Sequence, residues 1–225
     1  MNLLAIETST DVGSIALWRD GELLLRACPA GVSHSETLLP LIRATMAEAG
    51  LGFADLHGIA FAAGPGSFTG LRVACGVAQG LAFAHDLPLL PVGTLDGLAL
   101  ASGGERAIVA LDARMGEVYF GVFAAAVPLG PVGVYPPAAV PLPGSGGWLA
   151  CGNGLAAYPA LRERLAPCVE AWLPDLMPTA AAVARLAVPR LARGERVDPA
   201  DAVPLYIRDK VAQTVAERLA MGRKA

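Results

Sequence analysis

Residues 58–84, GIAFAAGPGSFTGLRVACGVAQGLAFA, limit what this chain can fold into more than any other stretch. They read as a strand (58–63), a glycine-rich turn (64–70) and a helix to about Ala84. Between Leu71 and Ala84 only Arg72 and Gln79 are polar, so no broad face is left for water. A helix that is apolar all round is a buried one. The row Gly70, Ala74, Ala78 and Ala82 is small at i, i+4 spacing and lets another backbone come close, while the opposite side carries Val73, Val77 and Leu81. Two readings are open. The helix is either a central core helix, or one with one side on its own sheet and the other on a second protein.

A chain of 225 residues has room for one large domain or two small ones. Its residues are 54% apolar and only 16% charged, an excess that suits a surface kept buried in a complex. The net charge of −3 and only two lysines, Lys210 and Lys224, give no electrostatic footprint for nucleic acid. The four cysteines (Cys28, Cys75, Cys151, Cys168) form no CxxC pair and read as small buried hydrophobes in a reducing compartment. The first residues, MNLLAIETST, have no basic region and do not read as a signal peptide. The alanine-rich runs after residue 120 are broken by Pro and Gly, so no membrane span is expected. A cytoplasmic location follows as the expectation.

In chain order, 2–7 is an apolar strand ending in Thr8-Ser9-Thr10-Asp11. A second strand follows over 13–19, and Asp20-Gly21 signals a hairpin before 22–28. A helix over 36–49 is stopped by Gly50, with Ser33 or Ser35 as caps. Its stripe of Leu38, Leu41, Ile42, Thr45 and Ala49 is widened by Leu39 and Met46, more than one sheet requires. After the central strand and helix comes a strand near 87–92, giving β-β-β-α-β-α-β, the order of a mixed sheet covered by helices. Residues 107–126 start again on the same plan, with Asp112 where Glu7 lay. Residues 127–147 read as irregular loop and short edge strand. A strand over 148–151, helices over 156–165 and 179–193, and a last helix over 209–221 complete the chain. Thr179 is the cap of the third of these elements, and Pro189 is expected to kink or shorten it.

The chemistry is thinly supplied. GPGSFTG invites a phosphate-loop reading, but Leu71-Arg72 stands where a Walker loop needs Lys, and Thr69 stands where GxGxxG needs its last Gly. His34, His57 and His85 share no helix spacing for a metal, and no serine has an identifiable His and orienting acid. Glu7, Asp11 and Asp112 either hold a magnesium–nucleotide at strand ends or are simply turn residues bonded to solvent and backbone.

Five motifs carry a resemblance. Ile6-Glu7-Thr8-Ser9-Thr10, then Ser33 to Pro40 (SHSETLLP), then Gly64 to Arg72 (GPGSFTGLR), then Asp112-Ala113-Arg114 with Glu117-Val118-Tyr119, and finally Pro204 to Arg208 (PLYIR) resemble the TsaB family. The resemblance implies an α/β, actin-like (ribonuclease H-like) two-lobed fold with a reduced second lobe. Residues 1–104 would form the first lobe and 105–203 the second, with 204–225 returning as a helix to the first. It further implies a non-catalytic scaffold in the formation of N6-threonylcarbamoyladenosine beside the anticodon of tRNAs that read codons starting with A. The implied partners are a TsaD-type catalytic subunit and a TsaE-type ATPase. The chain alone would form a homodimer, tRNA would be met only through the complex, and no cofactor is implied. A metal-dependent glycoprotease-like peptidase and an independent ATP-binding enzyme are the alternatives. TsaD-type proteins hold their metal with HxxxH on the first helix; here His34 is present and Leu38 replaces the second ligand. The resemblance places the partner interface at Leu38, Leu41, Ile42, Thr45, Arg72, Val73, Gly76, Val77, Gly80 and Leu81. Vestigial nucleotide loops would include Glu7, Thr8, Ser9, Gly64, Gly66, Ser67, Asp112, Gly152 and Gly154.

Overall fold

Alternation decides the first sheet. In the computed structural model, which describes residues 1–144 and 146–208, strand β1 (Asn2–Glu7) turns Leu4 and Ile6 to one face and Leu3 and Ala5 to the other. It pairs antiparallel with β2 (Ser14–Arg19), which continues through the Asp20-Gly21 turn into β3 (Glu22–Ala27). On its other side β1 runs parallel to β4 (Gly58–Gly64), and β4 runs parallel to β5 (Leu89–Gly93). The strand order is therefore β3-β2-β1-β4-β5. Helices α1 (His34–Glu48) and α2 (Phe68–His85) make the crossovers and cover the face of large side chains.

The chain then repeats this plan. Strands β6 (Arg106–Asp112) and β7 (Val118–Ala124) form the opening hairpin. The short β8 (Val127–Pro128) and β9 (Gly133–Tyr135) flank β7, while β10 (Trp148–Cys151) and β11 (Val169–Leu173) run parallel outward from β6. The second sheet thus repeats the order of the first, with two fragments in place of β3. The fold is the expected actin-like pair of mixed sheets covered by helices.

Between the sheets lie two helices that exchange sides. α3 (Thr94–Ala101), which follows β5, packs Leu95, Leu98 and Ala99 against Val109, Leu111 and Phe123 of the second sheet. α6 (Ala180–Ala192) falls in the 105–203 range yet lays Ala180, Val183, Ala184 and Ala187 on the first sheet. The sheet face beneath it carries Ala5, Ala16, Ala60 and Ala62, so small side chains on both surfaces allow close approach. Thr179 caps α6 by accepting from the amide of Ala182. Pro189 lies inside this helix, which continues to Ala192. Its ring falls in the last turn, where little helix remains to be broken.

Other departures are local. The helix expected over 156–165 is divided into α4 (Gly154–Ala157) and α5 (Pro159–Leu165), because Pro159 starts a new helix at its N1 position. Ser33 stands at the N-cap of α1, but its hydroxyl meets that of Ser35 (2.7 Å) instead of a backbone amide. Neither α3 nor β11 was among the elements expected from the sequence. The last expected helix, 209–221, lies outside the described residues.

Candidate functional site

α2 presents three faces, and each has a distinct cause. Gly70, Ala74, Ala78 and Ala82 lie buried against the sheet. At Gly70 the approach is closest: a Cβ there would overlap the carbonyl oxygen of Thr8, whose own hydroxyl donates to the carbonyl of Gly70 (2.8 Å). Val73, Val77 and Leu81 are half-buried at the margin of the first core, as is Leu41 of α1. The third face, Arg72, Gly76, Gly80 and Phe83, is exposed, and Phe83 is 84% accessible. A Cβ added at Gly76 or Gly80 would meet nothing within 4 Å.

The expected interface therefore divides. Leu38, Ile42 and Thr45 are buried in the chain's own core and cannot be surface contacts without opening it. Their i, i+4, i+7 spacing sets them on the side of α1 turned to the sheet. Thr45 also satisfies its hydroxyl internally, donating to the carbonyl of Leu41 (2.9 Å). Leu41, Val73, Val77 and Leu81 remain partly accessible, and Arg72, Gly76 and Gly80 are open. Phe83 was not singled out from the sequence, although its position three residues beyond Gly80 continues the same row.

The second feature is a cleft of about 350 Å³ lined by both sheets, with Ser9, Gly66 and Ser67 on one side and Asp112, Arg114 and Tyr119 on the other. Ser67 caps α2, accepting from the amide of Gly70 (3.3 Å), and its own amide donates to the carbonyl of Ser9 (2.7 Å). Asp112 is held by the Tyr158 hydroxyl (2.7 Å), and its amide donates to Asn153 Oδ1 (2.9 Å). An exposed ion pair, Arg114–Asp11 (2.9 Å), spans the cleft. Of the expected nucleotide loops, Ser9, Gly66, Ser67 and Asp112 meet here. Glu7, Thr8 and Gly64 lie buried beneath, and Gly152 and Gly154 pack against the carbonyl of Ala110.

Glu7 is nearly inaccessible, and burial pushes its carboxyl up to about 7, while the hydroxyl and amide of Ser9 pull it down. A strand-end acid in this state is a poor magnesium ligand, because it holds its proton near neutrality. The donor set for a metal on α1 does not fit either. Leu38 is buried at the second position, and His34 donates from Nε2 to the carbonyl of Thr10 (2.9 Å). Among the described residues, no three His, Cys, Asp or Glu side chains come together. At the end of α6, Arg190 and the C-cap Arg193 are engaged with Glu195, at 2.9 Å and 2.7 Å.

The chain is similar to several known proteins. A family model described as "TsaD: tRNA N6-adenosine threonylcarbamoyltransferase" matches residues 29–126, the stretch that holds α1 and α2. The "tRNA threonylcarbamoyladenosine biosynthesis protein TsaB" of Escherichia coli (strain K12) is 33% identical over 94% of this chain and 96% of its own length. The protein of the same description from Haemophilus influenzae is 44% identical over 53% of this chain and 52% of its own. A solved structure, "YeaZ from Pseudomonas aeruginosa", superposes with a TM-score of 0.83 at 38% identity, covering 91% of this chain and 99% of that one.

Proposed function

The chain belongs to the TsaB family, and from that membership we propose that it is the non-catalytic scaffold of the complex that makes N6-threonylcarbamoyladenosine in tRNA. Involvement in threonylcarbamoyladenosine biosynthesis rests on the relatives; the scaffold role is our reading of the surface. It is carried by one observation, the open row Arg72, Gly76, Gly80 and Phe83 on α2. Phe83, held on a helix and accessible to water, is an aromatic anchor without a pocket of its own, as expected where a partner supplies one. Gly76 and Gly80 bare the helix backbone beside it, so a second helix can come close.

The partner is a TsaD-type catalytic subunit, and the chain alone pairs with itself through the same face. A TsaE-type ATPase joins the assembly, and tRNA is met through the complex, since this chain carries a net charge of −3. The lobes are assigned as 1–104 and 105–203, with α3 and α6 exchanged between them and 204–206 returning to the first. No catalytic site of its own is assigned. Leu38 in place of a metal ligand and the near-neutral Glu7 both support that reading. No helix among the described residues is long and apolar enough to cross a membrane, and the work of the complex is cytoplasmic.

Reconstitution tests the role. A mixture of TsaD-type subunit, TsaE-type ATPase, threonylcarbamoyl-adenylate supply and unmodified tRNA should form the modified adenosine only when this chain is added. Full yield in its absence would contradict the proposal.

A further inference from the structure

Two sequence motifs that the open row of α2 does not use meet each other. One is the turn between β6 and β7, Asp112 to Val118 (DARMGEV); the other is Pro204 to Arg208 (PLYIR). The turn is bent in an unusual way. Arg114 (φ 62°), Met115 (φ 57°) and Gly116 (φ 78°) follow one another in the left-handed region, where only the glycine is free of a clash between Cβ and backbone. Two bulky residues persist there only where their surroundings hold them. The turn's own bonds supply part of that hold. The amide of Arg114 donates to Asp112 Oδ1 (2.8 Å), and that of Glu117 donates to the carbonyl of Arg114 (3.1 Å). Arg208 supplies the rest. It donates from Nη1 to the carbonyl of Ala113 (2.9 Å) and from Nη2 to that of Arg114 (3.4 Å), and it is ion-paired to Glu117. Its side chain is only 10% accessible, so these charge-assisted bonds are poorly screened by water.

The hold reaches across the cleft. Just before Arg208, the amide of Leu205 donates to the carbonyl of Ala63 (2.6 Å) at the end of β4. One short segment therefore grips the first sheet and the turn of the second. Arg114, on that turn, meets Asp11 on the opposite rim (2.9 Å), but both side chains of the pair are mostly in solvent. A pair so exposed holds little on its own.

We propose that Arg208 and the β6–β7 turn form a latch that sets how far the cleft opens. With the guanidinium seated, the turn is kept left-handed and Arg114 is aimed at Asp11, closing the cleft. With it withdrawn, Arg114 and Met115 return to conformations that suit their side chains, the ion pair parts, and the two sheets move apart at the cleft. The device is a switch and not a fixed tie, because strain favours the open form while Arg208 binds only the closed one. It is also easily withdrawn. Val203, Leu205 and Tyr206 are exposed, so little apolar burial holds the segment in place. The inference concerns this chain alone and does not depend on which partner meets α2.

The test places nitroxide labels on Glu36→Cys of α1 and Glu163→Cys of α5, two exposed positions over the first and the second sheet. The full chain is used with Cys28→Ser, since the other three native cysteines are buried. Pulsed electron resonance reads the distance between the labels. Arg208→Ala should shift the distribution to longer distances, and adding Met115→Gly, which removes strain, should shift it back. An unchanged distribution in folded Arg208→Ala would overturn the latch. Lengthening that Met115→Gly does not reverse would show Arg208 to be a plain contact, and the switch would be overturned. Should Arg208→Ala fail to fold, Glu117→Gln, which keeps the size and removes the charge, carries the test with the same outcomes.

Discussion

Glu7 closes β1 with its carboxyl buried, and that burial makes the fold sensitive to pH. Its carboxyl stands at about 7 against an ordinary 4.5. Below pH 4.5 the acid is protonated whether the chain is folded or not. Between 4.5 and 7 the unfolded chain releases the proton and the folded chain keeps it. The unfolded state therefore binds fewer protons, and stability falls as pH rises, by about 3 kcal/mol over the window. Glu7→Gln should remove this slope: denaturant unfolding at pH 5 and pH 7.5 should differ less for the variant than for the wild type. Parallel profiles would refute the buried, protonated state. Gly70 makes a second residue-scale case. Gly70→Ala drives a methyl into the carbonyl of Thr8 and should cost roughly 2–4 kcal/mol, read as a fall in the denaturation midpoint.

At the scale of the element, α2 separates folding from docking. Gly76 and Gly80 are helical glycines with open space around them, so Gly76→Ala and Gly80→Ala should each raise the stability of the isolated chain by roughly 0.5–1 kcal/mol. Both changes should also weaken pairing, because the added methyls hold a second helix away. Thermal unfolding together with calorimetry reads the two effects, and gain in both would contradict a close helix approach. The sequence made α2 legible as a helix with a surplus of apolar faces, since only Arg72 and Gln79 break it. It did not say which α1 residues reach the surface. Leu38, Ile42 and Thr45 belong to the same apolar stripe as Leu41, and the packing of the helix on its sheet buries the first three and leaves the last at the margin. Phe83 stayed hidden for the opposite reason: an aromatic near a helix end reads as core until the helix is docked. The short β11 and α3 escaped because their pairing comes from the sheet and core around them and not from their own pattern.

At the scale of the whole molecule, the doubled sheet was readable from the repeat of β-turn-β around Glu7 and Asp112, and the structure shows it as the same strand order twice. What could not be read was how the halves are held. α3 and α6 exchange sides between the sheets, and contacts of that range leave no periodic trace. The segment that follows α6 adds a further tie. Arg208, its side chain largely buried, is ion-paired to Glu117 and donates to the carbonyl of Ala113 (2.9 Å) in the β6–β7 turn. Arg208→Ala leaves these acceptors without their donor and should cost about 1–3 kcal/mol. Its readout is a lower melting temperature, and an unchanged one would show that the tie contributes nothing. The central claim, that this chain is a scaffold docking through the outer face of α2, is tested most directly by light scattering after size exclusion. The full chain is run alone and then with its TsaD-type subunit, as wild type and as Phe83→Glu. A one-to-one complex formed by the wild type and lost in the folded variant is the expected result; a complex that survives Phe83→Glu unchanged would contradict it.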